Sequence, residues 1–326
     1  MKALVTGGTG FIGSHLVDHL LTEGYDVRVL KRPESPMDYL TGKHLEAMDG
    51  DLLDPASLQK ACQDVEAVFH VAAYASDWGS RQKFLATNLQ GTQNLLDACL
   101  HKKISSIVFM SSAAVYGFTA TSAPITEDAP KHPTPKYGES KDRAERLLWQ
   151  FGKDHDIRVS AVRSALVTGP RDRITAPFLI PALQHRRLFT IGDGQQTLSI
   201  SDGRDVAACL FLAAETHKSN GQAYNVKSFD CTVRQLIDTA SAALHIPPPA
   251  KHRSYAYAYT LACLAETMSL FSRREPLLTR HKVKVLGHTR ILDTHKAEQD
   301  LGYRPRFGCT HTITDTVAWM ATHHKH

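Results

Sequence analysis

Tyr137 and Lys141 in "KYGESK" are four residues apart, which on a helix places them one turn apart on the same face. A lysine ammonium beside a phenol favours the phenolate, as does the positive ring of an oxidised nicotinamide. Free tyrosine titrates at about 10, so exchanging protons near neutrality calls for a fall of roughly three units, worth about 4 kcal/mol. The spacing therefore predicts a phenol tuned to pass a proton to or from an oxygen. A third residue, Ser112, precedes Tyr137 by 25 residues in "FMSSAAVYG" (Phe109 to Gly117), at the end of an apolar run. If that run is a strand of an open parallel sheet, Ser112 lies at the carboxyl edge, where such sheets bind ligands, and its hydroxyl can polarise a carbonyl. Ser111 reads as a turn-former or a second donor. Ala113 and Ala114 bring no further acid or base.

Such chemistry needs a hydride carrier, and the N-terminus is built for one. "TGGTGFIG" places Gly7, Gly10 and Gly13 between an apolar run and an amphipathic segment, so a helix N-terminus can offer its free N–H groups to a pyrophosphate. Gly7, Thr9, Gly10, Phe11 and Ile12 are the expected contacts. The next apolar run, "YDVRVLKR", ends in Lys31 and Arg32, where NAD would call for a carboxylate. A guanidinium grips a 2′-phosphate with two bonds, so NADP is expected over NAD.

The elements that must hold these residues alternate in the first half of the chain. Strands are expected at Lys2–Thr6, Asp26–Lys31, Leu45–Asp49, Ala67–Val71, Ile104–Ser111 and Ile157–Arg163, with helices at Ile12–Glu23, Pro55–Cys62, Arg81–Lys102 and Gly138–His155. The pattern predicts an α/β fold, a doubly wound parallel sheet of Rossmann type with a smaller α+β substrate lobe. Residues 1–168 form the dinucleotide-binding part, 198–227 return to it, and 169–197 with 228–326 form the small lobe.

Composition narrows the function classes. With 326 residues, 22% charged, 42% hydrophobic and a formal charge of +5, the chain reads as an ordinary globular protein. Its scattered basic residues form no nucleic-acid arm. Cys62, Cys99, Cys209, Cys231, Cys263 and Cys309 lie far apart without zinc spacing, and the 18 histidines are dispersed, so reduced core thiols and no metal site are expected. "MKALVTGGTGFIG" carries no signal-peptide pattern, which predicts a cytoplasmic protein. The apolar run "YAYAYTLACLAETMSLF", residues 255–271, contains Glu266 and is flanked by Lys251, Arg253, Arg273 and Arg274. At 17 residues it is marginal for spanning a bilayer and reads first as a helix packed in the small lobe. Its other reading is a substrate-covering or membrane-surface helix, a peripheral membrane contact.

Taken in order, "TGGTGFIG", "GDLLD", "HVAA", "SSAAVYG" and "YGESK" resemble the extended short-chain dehydrogenase/reductase superfamily, and the match runs through most of the chain. The resemblance implies that Asp51 and Leu52 touch the adenine, that Ala72 and Ala73 wall the cofactor ribose, and that Asn88 lies beneath that loop. It implies that Lys141 also binds the ribose. In "RSALVTGP", the nicotinamide-adjacent turn, Ser164 stands where proline is usual, and Leu166 aligns with the asparagine that holds the diphosphate in nucleotide-sugar epimerases. Dehydratases of the superfamily carry an Asp–Glu pair where this chain has Ala113 and Ala114, so elimination is not expected.

"AAYASDWGSRQKFLATN", "IGDGQQTLSISDGRDVA", "REPLLTRHKVKVLG" and "HKAEQDLGYRPR" resemble the 3β-hydroxysteroid dehydrogenase-like branch, although Gly203 replaces its usual valine. That branch implies Tyr74, Trp78 and Ser112 near the substrate, with Tyr74 and Trp78 reading equally well as loop anchors. The expected activity is NADP-dependent interconversion of a ketone and a secondary alcohol on a small lipophilic substrate. The alternatives are a sugar-nucleotide epimerase that retains its cofactor and a non-catalytic NADP-binding regulator. A homodimer through Arg81–Lys102 and Gly138–His155 is the expected assembly.

Overall fold

The computed structural model describes residues 1–76, 78–100, 102, 104–118, 123–272 and 276–323. Arg273, Arg274 and the end of the C-terminal histidine-rich tail lie outside the described residues. The strands are β1 (Lys2–Thr6), β2 (Asp26–Lys31), β3 (Glu46–Asp49), β4 (Ala67–His70), β5 (Ser106–Ser112), β6 (Arg158–Ser164), β7 (Leu166–Thr168), β8 (Thr190–Ile191), β9 (Thr197–Asp202), β10 (Gln222–Val226), β11 (Phe229–Thr232) and β12 (His252–Arg253). The helices are α1 (Phe11–Thr22), α2 (Pro55–Ala61), α3 (Arg81–Leu85), α4 (Gly91–Cys99), α5 (Tyr137–His155), α6 (Ala176–Gln184), α7 (Gly203–Glu215), α8 (Val233–Ala243), α9 (Tyr255–Ser272), α10 (Arg280–Gly287), α11 (His295–Leu301) and α12 (Cys309–His323).

Seven strands form one sheet in the order β10-β6-β5-β4-β1-β2-β3, and every pair in it is parallel. The order reverses beside β1, so the crevice at the carboxyl ends of β1 and β4 is the place such sheets bind a dinucleotide. Two apolar layers flank the sheet. One packs α1 and α7 on Val5, Val27, Phe69 and Val108, and the other packs α2, α4 and α5 on Leu4, Val68, Ile107 and Phe109. Alternate residues of a strand point to opposite faces, which is why β1 feeds both layers.

A second, three-stranded sheet runs in the order β11-β9-β7. Of the returning stretch 198–227, α7 and β10 therefore join the large sheet while β9 builds the small one. In the opposite sense, Ala297, Leu301 and Tyr303 of the C-terminal part pack into the α1/α7 core layer.

The single helix expected over Arg81–Lys102 is broken in the middle. Residues Ala86–Gln90 form a π-helical turn between α3 and α4. Such turns insert an extra residue into the helix and cluster at functional positions, and here the turn carries Asn88. The apolar helix α9 is two-faced: Ala258 and Ala262 are fully buried against Ile191 and Val283, while Tyr257, Leu261, Leu264 and Met268 are exposed. Spacings of four, three and four residues put those four side chains on one stripe. No helix among the described residues is long and apolar enough to cross a membrane.

Candidate active site

The glycine turn packs against the chain's own backbone too closely for side chains. A Cβ on Gly13 would stand 2.1 Å from the Gly7 carbonyl oxygen, and one on Gly7 would stand 2.7 Å from the Ala72 nitrogen. Gly7 also has φ +74°, a conformation that suits glycine. Gly10 is the N-cap of α1 and offers no side chain to cap it, so the first N–H groups of the helix stay available to an anion. Thr9, Phe11 and Ile12 are half-buried around this turn. Phe11 lies against Gly203, where an added Cβ would meet its ring at 2.6 Å. Glycine at 203 lets α7 begin directly against the Phe11 ring.

At the far end of β2, Lys31 is ion-paired to Asp49, whereas Arg32 is largely exposed and meets Glu34 at 3.2 Å. An exposed pair of that kind is weak, so Arg32 is the cation free to turn toward a ligand. The Asp51 carboxylate accepts from the Leu53 N–H at 2.8 Å, shaping the turn before α2. Leu52 is buried, and the Cβ that Gly91 lacks would lie 2.8 Å from its own Cβ.

Beneath Ala72 and Ala73 runs a polar chain that sequence reading missed. Thr6 Oγ1 accepts from the Ala72 N–H at 3.2 Å and meets His70 Nδ1 at 2.8 Å, and His70 Nε2 meets Thr92 Oγ1 at 2.9 Å. Burial and the neighbouring Lys141 charge push the His70 imidazole down to about 3, so it stays neutral and serves as a hydrogen-bond relay. Asn88 continues the chain: its Oδ1 accepts from the Tyr74 N–H at 2.7 Å, and its amide donates to the Tyr74 carbonyl at 3.1 Å and to Ser140 Oγ at 2.9 Å. Its hydrogen-bonding groups are thus committed to tying the loop after β4 to helix α5. One histidine among 18 carries no sequence signal that would have singled it out.

Ser112 ends β5, in register with Ser164 at the end of β6. Its hydroxyl accepts from the Ala114 N–H at 3.1 Å and is the side chain that acts on the Tyr137 phenol. Ser111 points the other way. It is buried and donates to Glu145, so it is neither a turn-former nor a second donor to the cleft. Tyr137 opens α5 directly after a rare backbone: Lys136 has φ 65° and ψ −76°, and the Tyr137 N–H donates back to the Pro135 carbonyl at 2.9 Å. That is a γ-turn, a strained conformation which fixes the angle at which the tyrosine leaves the loop.

Lys141 is 1% exposed; its ammonium donates to the Met110 carbonyl at 2.8 Å and lies 4.6 Å from the Phe109 ring centre. In the chain by itself, burial acts on both groups. Burial raises the Tyr137 phenol to about 12, with only the Ser112 hydrogen bond working against it, and burial lowers Lys141 to about 7. Desolvation dominates both groups, so the chain by itself holds the phenol protonated.

The predicted substrate residues Tyr74 and Trp78 hold each other. Tyr74 Oη donates to the Trp78 carbonyl at 2.9 Å, its ring meets Phe84 edge-on at 4.8 Å, and Lys136 donates to the adjoining Gly79 carbonyl at 2.8 Å. Both side chains are half-buried beside α5, and Phe84 links them to the Tyr137 ring at 6.4 Å. Ser164 is buried at the end of β6, and Leu166 pairs with Ile200 in the small sheet. No cluster of histidine, cysteine and carboxylate suited to a metal occurs among the described residues.

Residues 3–226 match the model of the NAD dependent epimerase/dehydratase family. The chain belongs to that family. It is an extended short-chain dehydrogenase/reductase. It is 31% identical to a 2-alkyl-3-oxoalkanoate reductase of Stenotrophomonas maltophilia, covering 94% of this chain and 95% of the relative. A sterol-4-alpha-carboxylate 3-dehydrogenase (decarboxylating) of Mus musculus is 28% identical over 99% of this chain and 91% of its own. Among solved structures, a UDP-glucuronic acid 4-epimerase of Bacillus cereus, in complex with UDP-glucuronic acid and NAD, superposes with a TM-score of 0.80 at 25% identity, covering 99% of both chains.

Proposed function

We propose that this family member is an NADP-dependent oxidoreductase that interconverts a ketone and a secondary alcohol on a lipophilic small molecule. The observation that carries the reading is the placement of Tyr137 and Lys141 at the start of α5 beside Ser112 at the end of β5, where Ser112 acts on the phenol and two alanines follow it. In reduction, Ser112 holds the carbonyl oxygen by a hydrogen bond, and Tyr137 Oη gives that oxygen its proton as the carbonyl carbon becomes a secondary alcohol carbon. A dinucleotide held in the glycine turn would supply the hydride for reduction, or take it up in the reverse direction. Lys141 has one of its three donors on the Met110 carbonyl and keeps the others for a ribose hydroxyl. Gly7, Gly10 and the α1 N-terminus would hold the pyrophosphate, with Arg32 at the ribose phosphate.

The lipophilic class is supported by Leu166, by the exposed apolar stripe of α9, and by relatives whose names specify 3-oxoalkanoate and sterol substrates. The stripe also suits contact with a membrane surface. For a homodimer, α4 and α5 offer adjoining outer faces with half-buried Leu147 and Trp149.

A second reading, epimerisation of a nucleotide sugar with retained cofactor, is favoured by the backbone match to the UDP-glucuronic acid epimerase. One experiment separates the two: NADPH and NADH absorbance is followed across a panel of lipophilic 3-keto compounds and UDP-sugars. Net NADPH consumption with the ketones is expected. Conversion of UDP-sugars without net cofactor consumption would sink the reductase reading.

A further inference from the structure

Arg290 is a cation without an acid. Its backbone is clamped in the small lobe, the N–H donating to the Thr197 carbonyl at 2.8 Å and the carbonyl accepting from Ser199 at 3.0 Å. From there its guanidinium crosses to the sheet domain, where Nη2 donates to the carbonyl of Ala113, the residue after Ser112. No carboxylate lies within 4.0 Å of it among the described residues, and its Nε is buried with no hydrogen-bond partner. The contrast with Arg163, which shares Glu145 by two bonds on the other side of the same strand end, is direct.

Arg290 is half-buried, and withdrawing a guanidinium even partly from water without a counter-charge is costly, so an arginine so placed suits an anion that arrives with a ligand. Burial lowers its pKa only to about 10, which leaves it charged at neutrality. Its position narrows the ligand. Consecutive Cα atoms are about 3.8 Å apart, so the guanidinium is seated one residue step from the serine that faces the reacting oxygen. Phe118 lies beneath it at 5.6 Å, and ring contacts run from Phe118 to His288 at 6.3 Å, from His288 to Tyr255 at 5.0 Å, and from Tyr255 to Tyr259 at 5.9 Å. These lead from the cation to the inward face of α9, where Tyr255 and Tyr259 pack beside Ala258 and Ala262.

We propose that Arg290 is the anion-reading residue of the cleft, pairing with the carboxylate of a 3-oxo or 3-hydroxy acid whose alkyl part runs toward α9. The proposal deepens the ketone-reductase reading and rests on it. A planar guanidinium keeps two parallel N–H groups for a bidentate pair with a carboxylate.

Calorimetric titration of the cofactor-loaded protein with 3-hydroxydecanoate, with its methyl ester and with UDP-glucose tests it without relying on turnover. The acid is expected to bind more tightly than the ester. Arg290→Gln should weaken the acid by roughly thirtyfold or more while moving the ester less than about threefold, and Arg290→Lys should recover part of the loss. Equal losses for acid and ester would reduce Arg290 to a structural tie to Ala113 and overturn the proposal. Arg290-dependent binding of UDP-glucose without binding of the acid would overturn it too, by assigning the cation to a diphosphate. Acid binding that depends on Arg290, with no cofactor-linked turnover of either alcohol, would support the anion site and sink the reductase reading alone.

Discussion

Ser111 and Ser112 are consecutive residues of one strand, yet their surroundings treat charge in opposite ways. On the Ser111 side, Glu145 is fully buried and accepts from Ser111, Lys131 and twice from Arg163. Arg163 also donates to Tyr116, whose hydroxyl donates to Asn225 at 2.8 Å. Burial pushes the Glu145 carboxyl up, but Arg163 and Lys131 outweigh it and hold it below its ordinary range. On the Ser112 side, Lys141 and Arg290 are cations with no carboxylate in contact among the described residues, and Tyr137 has only a neutral partner. A buried network in which every member is satisfied fixes structure, whereas one missing its counter-groups is arranged for something that binds.

The comparison breaks most visibly at Tyr137. Removing its hydroxyl in Tyr137→Phe deletes the proton donor, and turnover should fall by about 10²–10⁴-fold. Cofactor affinity, followed by fluorescence titration, should hold, because none of the glycine-turn contacts involves that oxygen. Turnover within tenfold of the parent would move the proton to another group. Removing the carboxylate on the other side acts on folding instead. Glu145→Ala leaves Arg163, which is 4% exposed, as an uncompensated buried charge, and should cost about 3–5 kcal/mol in urea denaturation. Glu145→Gln keeps the shape and one acceptor and should lose less. A loss under about 1 kcal/mol in the alanine variant would show that water reaches Arg163 readily.

Much of this arrangement was legible in the sequence, for reasons that differ by region. The glycines of the first turn, the serine at a strand end and the tyrosine–lysine spacing carry geometry in their chain positions, and period-two and helical patterns placed the parallel strands to within a few residues. Less was legible where contacts join distant segments. The Thr6–His70–Thr92–Asn88 chain spans more than 80 residues, and Arg290 lies 177 residues from the carbonyl it touches. No local pattern marks either. The π-helical turn at Asn88 was invisible because the helical period on both sides of it continues. The upward pull of burial on Tyr137 was not legible because spacing gives the partner but not the depth of burial.

Burial also supplies the most delicate test of the difference between the two sides, through the pH dependence of folding. Lys141 titrates near 7 in the folded chain and at about 10.4 when unfolded. Between those values the unfolded state holds the extra proton, so stability rises with pH. The slope from this one group approaches about 1.4 kcal/mol per pH unit at its steepest. Glu145 lies the other way: a carboxyl held below its ordinary range favours folding above about pH 4.3, and that contribution is lost as acid protonates it. Tyr137 is raised to about 12 and contributes only above about pH 10. Cys309, lowered to about 7 by its hydrogen bond with Cys231, titrates in the window from 7 to 9 as well, so the comparison with a Lys141 variant that keeps Cys309 is what isolates the lysine. Urea midpoints of the parent and of Lys141→Met, measured without cofactor at half-unit steps, should diverge across it. The parent should gain stability relative to the variant as pH rises, whereas parallel curves would mean that the ammonium keeps its proton in the folded state and that the cleft side is better solvated than its packing implies.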